Sequence, residues 1–426
     1  MGMIYGARTP AWRAAAACVV AVLLFGLTTP GASAQTLTLG RALSLAAERD
    51  LGLPAGDART AAAAAAVRQA GVKPNPVVGV DVENFAATGA HGLVDQVEAT
   101  FYYEQQLERG EKRIARVSAA NVEIDIARLR RNIRALDLFR QVQLAWTEAV
   151  AASSSVRIAR DQLGVAQALR DDVNRRVQAA RDPLFAGQRA EMQVSQAEIA
   201  LAQAEIAAEN TNAALGAYLG VGTFSVDPAA LGDLTAPLAA TPALTTDLAL
   251  LERERDAATA RIRVEQVRAR PDATVRGGLR SFGIGDEVAL VVGGSMPLGT
   301  NDTNRGNIER AEAERVAVER EIAAARVQRD REVVRLRARL QANITEVRRL
   351  DAEILPRAEE TLRLVRDGYR QGGFSYIDII DAQRAVIETQ SHRIAILKSF
   401  HTERAALDRL TDRYADLIPP ATESLP

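Results

Sequence analysis

The same plan is written twice along this chain of 426 residues, and such duplication commits it to two like units sharing one architecture. Gln106-Leu107 and Pro297-Leu298 occupy equivalent places, as do Ala190-Glu191 and Ala382-Gln383, about 190 residues apart in both cases. Upstream, Pro76 and Pro271 each stand between a helical stretch and an alternating one. Each copy reads as a shorter leading helix, two strand-like segments, then a long helix, a turn and a second long helix.

The helices are long. Residues 111–177 hold no proline and one glycine, Gly164, so at about 1.5 Å per residue this helix extends on the order of 100 Å. Residues 183–215 form its descending partner, and in the second copy 306–370 is followed by 375–414, with Pro356 expected to kink or break the former. Ile199, Ala202, Ile206 and Ala213 recur at bundle spacing with charges between them. A hydrophobic fraction of 47% with only 4% aromatics points to alanine-rich helices packed along their length.

Arg8 and Arg13, the apolar run 14–27 and Gly31-Ala32-Ser33-Ala34 read as a secretory signal cleaved before Gln35. No later run reaches the roughly 18 apolar residues of a spanning helix. An exported chain of this kind enters a membrane with strands. The single cysteine, Cys18, lies in the signal, which leaves no thiolate site in the mature chain. A formal charge of −1 offers nothing to nucleic acid. The cations are almost all arginine; Lys73, Lys112 and Lys398 are the only lysines.

Four segments alternate with period two. Val78, Val80 and Val82 oppose Gly79, Asp81 and Glu83; Val97, Ala99, Phe101 and Tyr103 oppose Gln96, Glu98, Thr100 and Glu104. Val275, Gly277 and Leu279 oppose Thr274, Arg276 and Arg280, while 288–296 is nearly all small or apolar. Glycine-rich connections at 86–92 and 283–286 join each pair. Taken singly, these segments fit a soluble hairpin layer or a membrane barrel. Counted, they constrain more: a spanning sheet has no open edge and bacterial barrels begin at about 8 strands. Four strands therefore close only with strands from other chains, and three chains would supply twelve.

These features, together with the turn Tyr-Arg-Gln-Gly-Gly-Phe-Ser-Tyr-Ile-Asp-Ile-Ile-Asp-Ala-Gln at 369–383, resemble the TolC-type outer-membrane efflux proteins. The resemblance covers essentially everything after residue 34. The segment 106–113, Gln-Leu-Glu-Arg-Gly-Glu-Lys-Arg, is most similar to the subgroup serving cobalt, zinc and cadmium resistance pumps. The resemblance implies a mainly α fold with a small membrane β part: a homotrimer whose twelve-stranded transmembrane β-barrel continues into a helical periplasmic tunnel. Its implied partners are outer-membrane lipid, a periplasmic adaptor and a proton-driven inner-membrane pump, with no cofactor, metal site or catalysis. The resulting plan is a signal at 1–34, a first repeat at 35–219 (strand pair about 77–107, tip near 179–184) and a linker at 220–242. A second repeat at 243–414 (strand pair about 272–298, tip near 371–375) and a tail at 415–426 complete it.

By the same resemblance, Asp378 and Asp381 match aspartates that ring the periplasmic entrance. Their i, i+3 spacing puts both on one helix face, and carboxylates gathered by symmetry favour cations. Ser375 and Asp378 read equally as an N-cap and its first-turn acid. Tyr369 matches a tyrosine that helps hold the entrance shut, and also reads as a packing tyrosine. Gly372 and Gly373 in one tip, and Ala180, Arg181 and Asp182 in the other, are the expected adaptor-docking residues, with Asp182 an expected N-cap and Pro183 the first helical residue. Three positions depart from the family pattern: Ala180 replaces a tip glycine, and Ala186 and Phe374 replace an aspartate and an arginine that link helices. Closure is accordingly expected to rest on packing of Phe185 and Phe374.

Other chemistry finds little support. His91, His392 and His401 are scattered and no zinc spacing occurs. The Gly-Gly pairs lack the frame of a nucleotide site, and no nucleophile elbow is present. The competing reading is a soluble periplasmic coiled-coil scaffold or the adaptor itself, although an adaptor usually carries one hairpin and this chain carries two.

Overall fold

The computed structural model describes residue 2 and residues 36–85, 97–235, 242–283 and 287–421. Apart from residue 2, the expected signal at 1–34 lies outside the described residues, as do the loop at 86–92 with His91 and the end of the tail. The first repeat comprises β1 (Thr36–Leu37), α1 (Leu39–Arg49), α2 (Gly52–Ala70), β2 (Val77–Glu83), β3 (Glu98–Leu107), α3 (Lys112–Gln178) and α4 (Leu184–Leu219). β4 (Ser225–Val226) and a 3-10 turn (Pro228–Gly232) follow. The second repeat comprises α5 (Thr246–Arg268), β5 (Ala273–Phe282), β6 (Val288–Ser295), α6 (Arg305–Arg349), α7 (Leu355–Gln371) and α8 (Tyr376–Leu410). Among the described residues, no helix is long and apolar enough to cross a membrane.

The 67 residues of α3 form one unbroken helix, about 100 Å long. Its counterpart in the second repeat changes register instead of breaking. A π-turn, Leu350–Ile354, leads directly into α7, which carries Pro356 in its first turn. Proline lacks an N–H and collides with the carbonyl four residues back; the wider turn relieves both problems while the helix continues.

The largest core lies midway along the helices, where Leu43 and Ala46 of α1 meet Ala135, Phe139, Val142 and Val150 of α3 and Leu215 and Leu219 of α4. A two-residue parallel bridge, Thr36 to Ser225 and Leu37 to Val226, joins β1 to the linker; so short a pairing has no sequence signature. His401 is buried in this region, its Nε2 2.9 Å from the Leu231 carbonyl, whereas His392 is exposed beside Glu346. Along α4, Ile199 and Ile206 remain more than half exposed, so its apolar stripe is not covered within one chain.

The four longer strands form one antiparallel sheet in the order β2-β3-β5-β6, joining the two repeats through β3 and β5. The register places Val80, Phe101, Leu279 and Leu290 in one row, and Val78, Tyr103, Gly277 and Val292 in a neighbouring row on the same face. Asp81, Thr100 and Arg280 form a row on the other face. β6 follows this alternation, with Val288, Leu290 and Val292 on the apolar face and Ala289, Val291 and Gly293 on the polar one. Neither β2 nor β6 has a partner on its outer edge among the described residues.

Candidate functional site

Two regions bear on passage through the molecule: the polar sheet face and the helical tips. On the sheet, Arg280 pairs with Glu83 (2.9 Å) and Glu98 (2.8 Å), and its Nε donates to the Thr100 hydroxyl. Arg276 pairs with Asp81 and lies 3.4 Å from the Tyr102 ring centroid. Two glycines let this ring lie along the sheet. A Cβ on Gly79 would fall 2.4 Å from the Tyr102 hydroxyl, and one on Gly278 2.4 Å from the Phe101 carbonyl oxygen. Charged on one face and apolar on the other, the sheet suits water on one side and lipid on the opposite side.

The two tips end their ascending helices with the same hydrogen-bond pattern. At the second, Gly373 N donates to Gly368 O (2.8 Å) and Gly372 N to Tyr369 O (3.0 Å), with Gly372 left-handed at φ 90°. At the first, Arg181 N donates to Arg176 O (2.9 Å) and Ala180 N to Val177 O (3.0 Å), with Ala180 left-handed at φ 53°. Both are Schellman turns. The alanine thus occupies the glycine conformation despite its Cβ.

Asp182 does not cap a helix. The cap residue of α4 is Pro183, with no side-chain bond, and helical residues begin at Leu184. The Asp182 carboxylate instead accepts two bonds from Arg176 at 3.0 Å and one from the Tyr369 hydroxyl at 2.5 Å. Arg176 also donates to the Tyr369 carbonyl (2.7 Å) and sits 4.5 Å from its ring centroid. The two hairpins are therefore latched through one residue triplet. Its hydrogen bond from Arg176 holds the Asp182 carboxyl below its ordinary range. Burial, reinforced by Asp182, pushes the Tyr369 phenol well up.

One turn before Arg176 in α3, buried Asp172 accepts from Arg370 (2.9 and 3.0 Å) and lies 3.4 Å from Arg366. Asp172, Arg176, Arg366 and Arg370 were missed in the sequence. The signal was partial: Arg366 and Arg370 share an α7 face at i, i+4, but their acid partner lies almost two hundred positions away.

Asp378 caps its own helix. Its carboxylate accepts from the Ser375 amide (2.8 Å) and hydroxyl (2.7 Å), completing a capping box, and these bonds hold its carboxyl below the ordinary range. Asp381 is exposed, 3.7 Å from Arg384. Phe185 and Phe374 are largely exposed within one chain; Phe374 lies over Gly368, where an added Cβ would meet its ring at 2.3 Å. Ala180, Arg181, Gly372 and Gly373 are exposed, whereas Asp182 is turned into the latch. Among the described residues there is no cluster of three or more His, Cys, Asp or Glu that could hold a metal.

A two-faced, edge-open sheet continued by helices of this length defines a protomer of a membrane-spanning duct. The outer membrane efflux protein family matches residues 243–412. The cobalt-zinc-cadmium resistance protein CzcC of Cupriavidus metallidurans is 27% identical over 400 residues, spanning 90% of this chain and 92% of that protein. The nickel and cobalt resistance protein CnrC of the same organism is 30% identical over 305 residues, 68% of this chain and 66% of its own length. The outer membrane protein VceC of Vibrio cholerae superposes with a TM-score of 0.67 at 18% identity, covering 88% of this chain and 95% of that one. The chain belongs to the TolC-type outer membrane efflux proteins, and it is an outer-membrane efflux channel with its helical part in the periplasm.

Proposed function

We propose that three copies of this chain form the passive outer-membrane duct of a tripartite pump whose cargo is heavy-metal cations. The observation that carries the assembly is the four-stranded sheet with one apolar face and, among the described residues, no partner on either edge. Such a sheet cannot stand alone in lipid, and three together supply twelve strands, a size within the bacterial range. The names of CzcC and CnrC support the cargo, because both relatives are metal-resistance proteins. In this reading residues 1–34 direct export, and the chain performs no catalysis.

The exposed apolar side chains Leu184, Phe185, Phe374 and Ile377 gather at the tips, as a surface awaiting a partner does. With Ala180, Arg181, Gly372 and Gly373 they would meet a periplasmic adaptor, which couples the duct to a proton-driven inner-membrane pump. Asp378 and Asp381 would line the constriction and favour cations, and the Tyr369–Asp182–Arg176 latch would hold it narrow. Native mass spectrometry of the detergent-solubilised outer-membrane fraction, followed by planar-bilayer recording, tests this reading. A trimer with cation preference that falls in Asp378→Ala and Asp381→Ala supports it; a soluble periplasmic monomer would sink it and favour the scaffold.

A further inference from the structure

Two of the three lysines, Lys73 and Lys112, and the end of the 106–113 segment lie at the foot of the sheet, Lys112 beside Asp272 and the polar-face residue Gln106. They meet at one place. A cleft of about 420 Å³ opens at the foot of the sheet, lined by Lys73, Gln105, Leu107, Lys112, Arg113 and Ile114 among others. It reaches the lipid side, because Gln105 and Leu107 continue the alternation of Phe101 and Tyr103 along β3, while Gln106 and Glu108 also line it. The Tyr103 hydroxyl donates to the Gln105 side chain at 3.4 Å, tying the cleft to that face. Both long hairpins leave the sheet from this end, which makes it the periplasmic end.

The acids near the cleft are already paired. Asp272 binds Lys112 at 2.8 Å, Glu108 binds Arg116, and Glu111 binds Arg263 at 2.9 Å. Lys73 and Arg113 are exposed and have no acidic partner among the described residues. Beside them Leu107 and Ile114 are 46% and 63% exposed. Unspent positive charge therefore adjoins uncovered apolar surface at the depth where the lipid-facing band ends. Anionic lipid headgroups satisfy both demands, and basic pockets at this depth recognise them. The volume is that of a small-ligand pocket.

We propose that this cleft binds the headgroup of one anionic phospholipid of the periplasmic leaflet, its phosphate held by Lys73 and Arg113 and its glycerol end resting on Leu107 and Ile114. The proposal rests on the outer-membrane placement of the channel. It is tested by native mass spectrometry of the purified full chain with phosphatidylglycerol, phosphatidylethanolamine or inorganic phosphate. Each cation beside an anionic surface contributes about fivefold in affinity. The wild type should retain phosphatidylglycerol over phosphatidylethanolamine, and Lys73→Ala with Arg113→Ala should cut that retention on the order of 30-fold without changing the oligomer.

Equal retention of the two lipids by the wild type, or retention unchanged in the double variant, would overturn the proposal. So would displacement of the lipid by millimolar phosphate, which would make the site one for free phosphate. Loss of the oligomer in the double variant would make the cleft an interface between copies and overturn it too. Lipid selectivity is read per chain, so a wild type that is not trimeric counts against the assembly while the lipid comparison still decides the cleft.

Discussion

Ala180 holds a left-handed backbone at φ 53° in a turn whose counterpart uses Gly372. An L-residue there carries about 1–2 kcal/mol of strain, part of which glycine would return as lost chain entropy. Ala180→Gly should therefore stabilise the tip by up to about 1 kcal/mol, read as a small rise in thermal midpoint. Nearby, Tyr369→Phe removes a hydrogen bond to a charged acceptor, costing about 1.5–3 kcal/mol of latch strength, and Asp182→Asn weakens the pairing with Arg176 as well. Both variants should show more frequent open events in planar bilayers; recordings indistinguishable from wild type would remove the latch from gating. The pH dependence follows from the two shifts. The depressed Asp182 carboxyl gives stability that is present above the ordinary carboxylate value and lost as pH falls through its folded value. The raised Tyr369 phenol gives stability that is present below the ordinary phenol value and lost only as pH rises through its folded value. The latch should thus hold from about pH 4 to about pH 10.

At the scale of elements, helices and strands meet their lengths by different means. A helix satisfies its own backbone, so the hydrogen bonds of α3 run through 67 residues without a neighbour's backbone, and where Pro356 removes a donor a π-turn absorbs the mismatch. A strand depends on what crosses it. Gly278 in β5 lies against Tyr102 and the Phe101 carbonyl of β3, the inner strand beside it. Gly278→Ala forces a backbone contact at 2.4 Å and should cost about 1–3 kcal/mol of thermal stability. Gly277→Ala, with nothing within 4 Å, is the control that should change little.

For the whole molecule, the two sheet faces answer to two solvents. Val80 stands in the row of Phe101, Leu279 and Leu290 on the lipid side. Val80→Arg should cost about 2–4 kcal/mol at mid-membrane depth and deplete the outer-membrane fraction. Asp81→Asn, one residue on but facing the interior, should leave insertion intact and change conductance. Equal insertion of both variants would contradict the assignment of faces.

The sequence by itself determined the duplication, the long helices and the polarity of the strand faces, because each depends on periodicity and on residues near in the chain. The Ser375 and Asp378 capping box is of this kind, with both partners in one turn. Tertiary structure decided what joins distant segments. The same Asp182 side chain that reads as a cap in sequence is drawn away by Tyr369 and Arg176, since a charge-assisted pair offers more than one amide bond. Asp172 finds Arg366 and Arg370 only after the two repeats are laid side by side, and β1 finds β4 only after the first repeat folds back on the linker. Periodicity fixes which face a residue occupies; only packing fixes what that face meets.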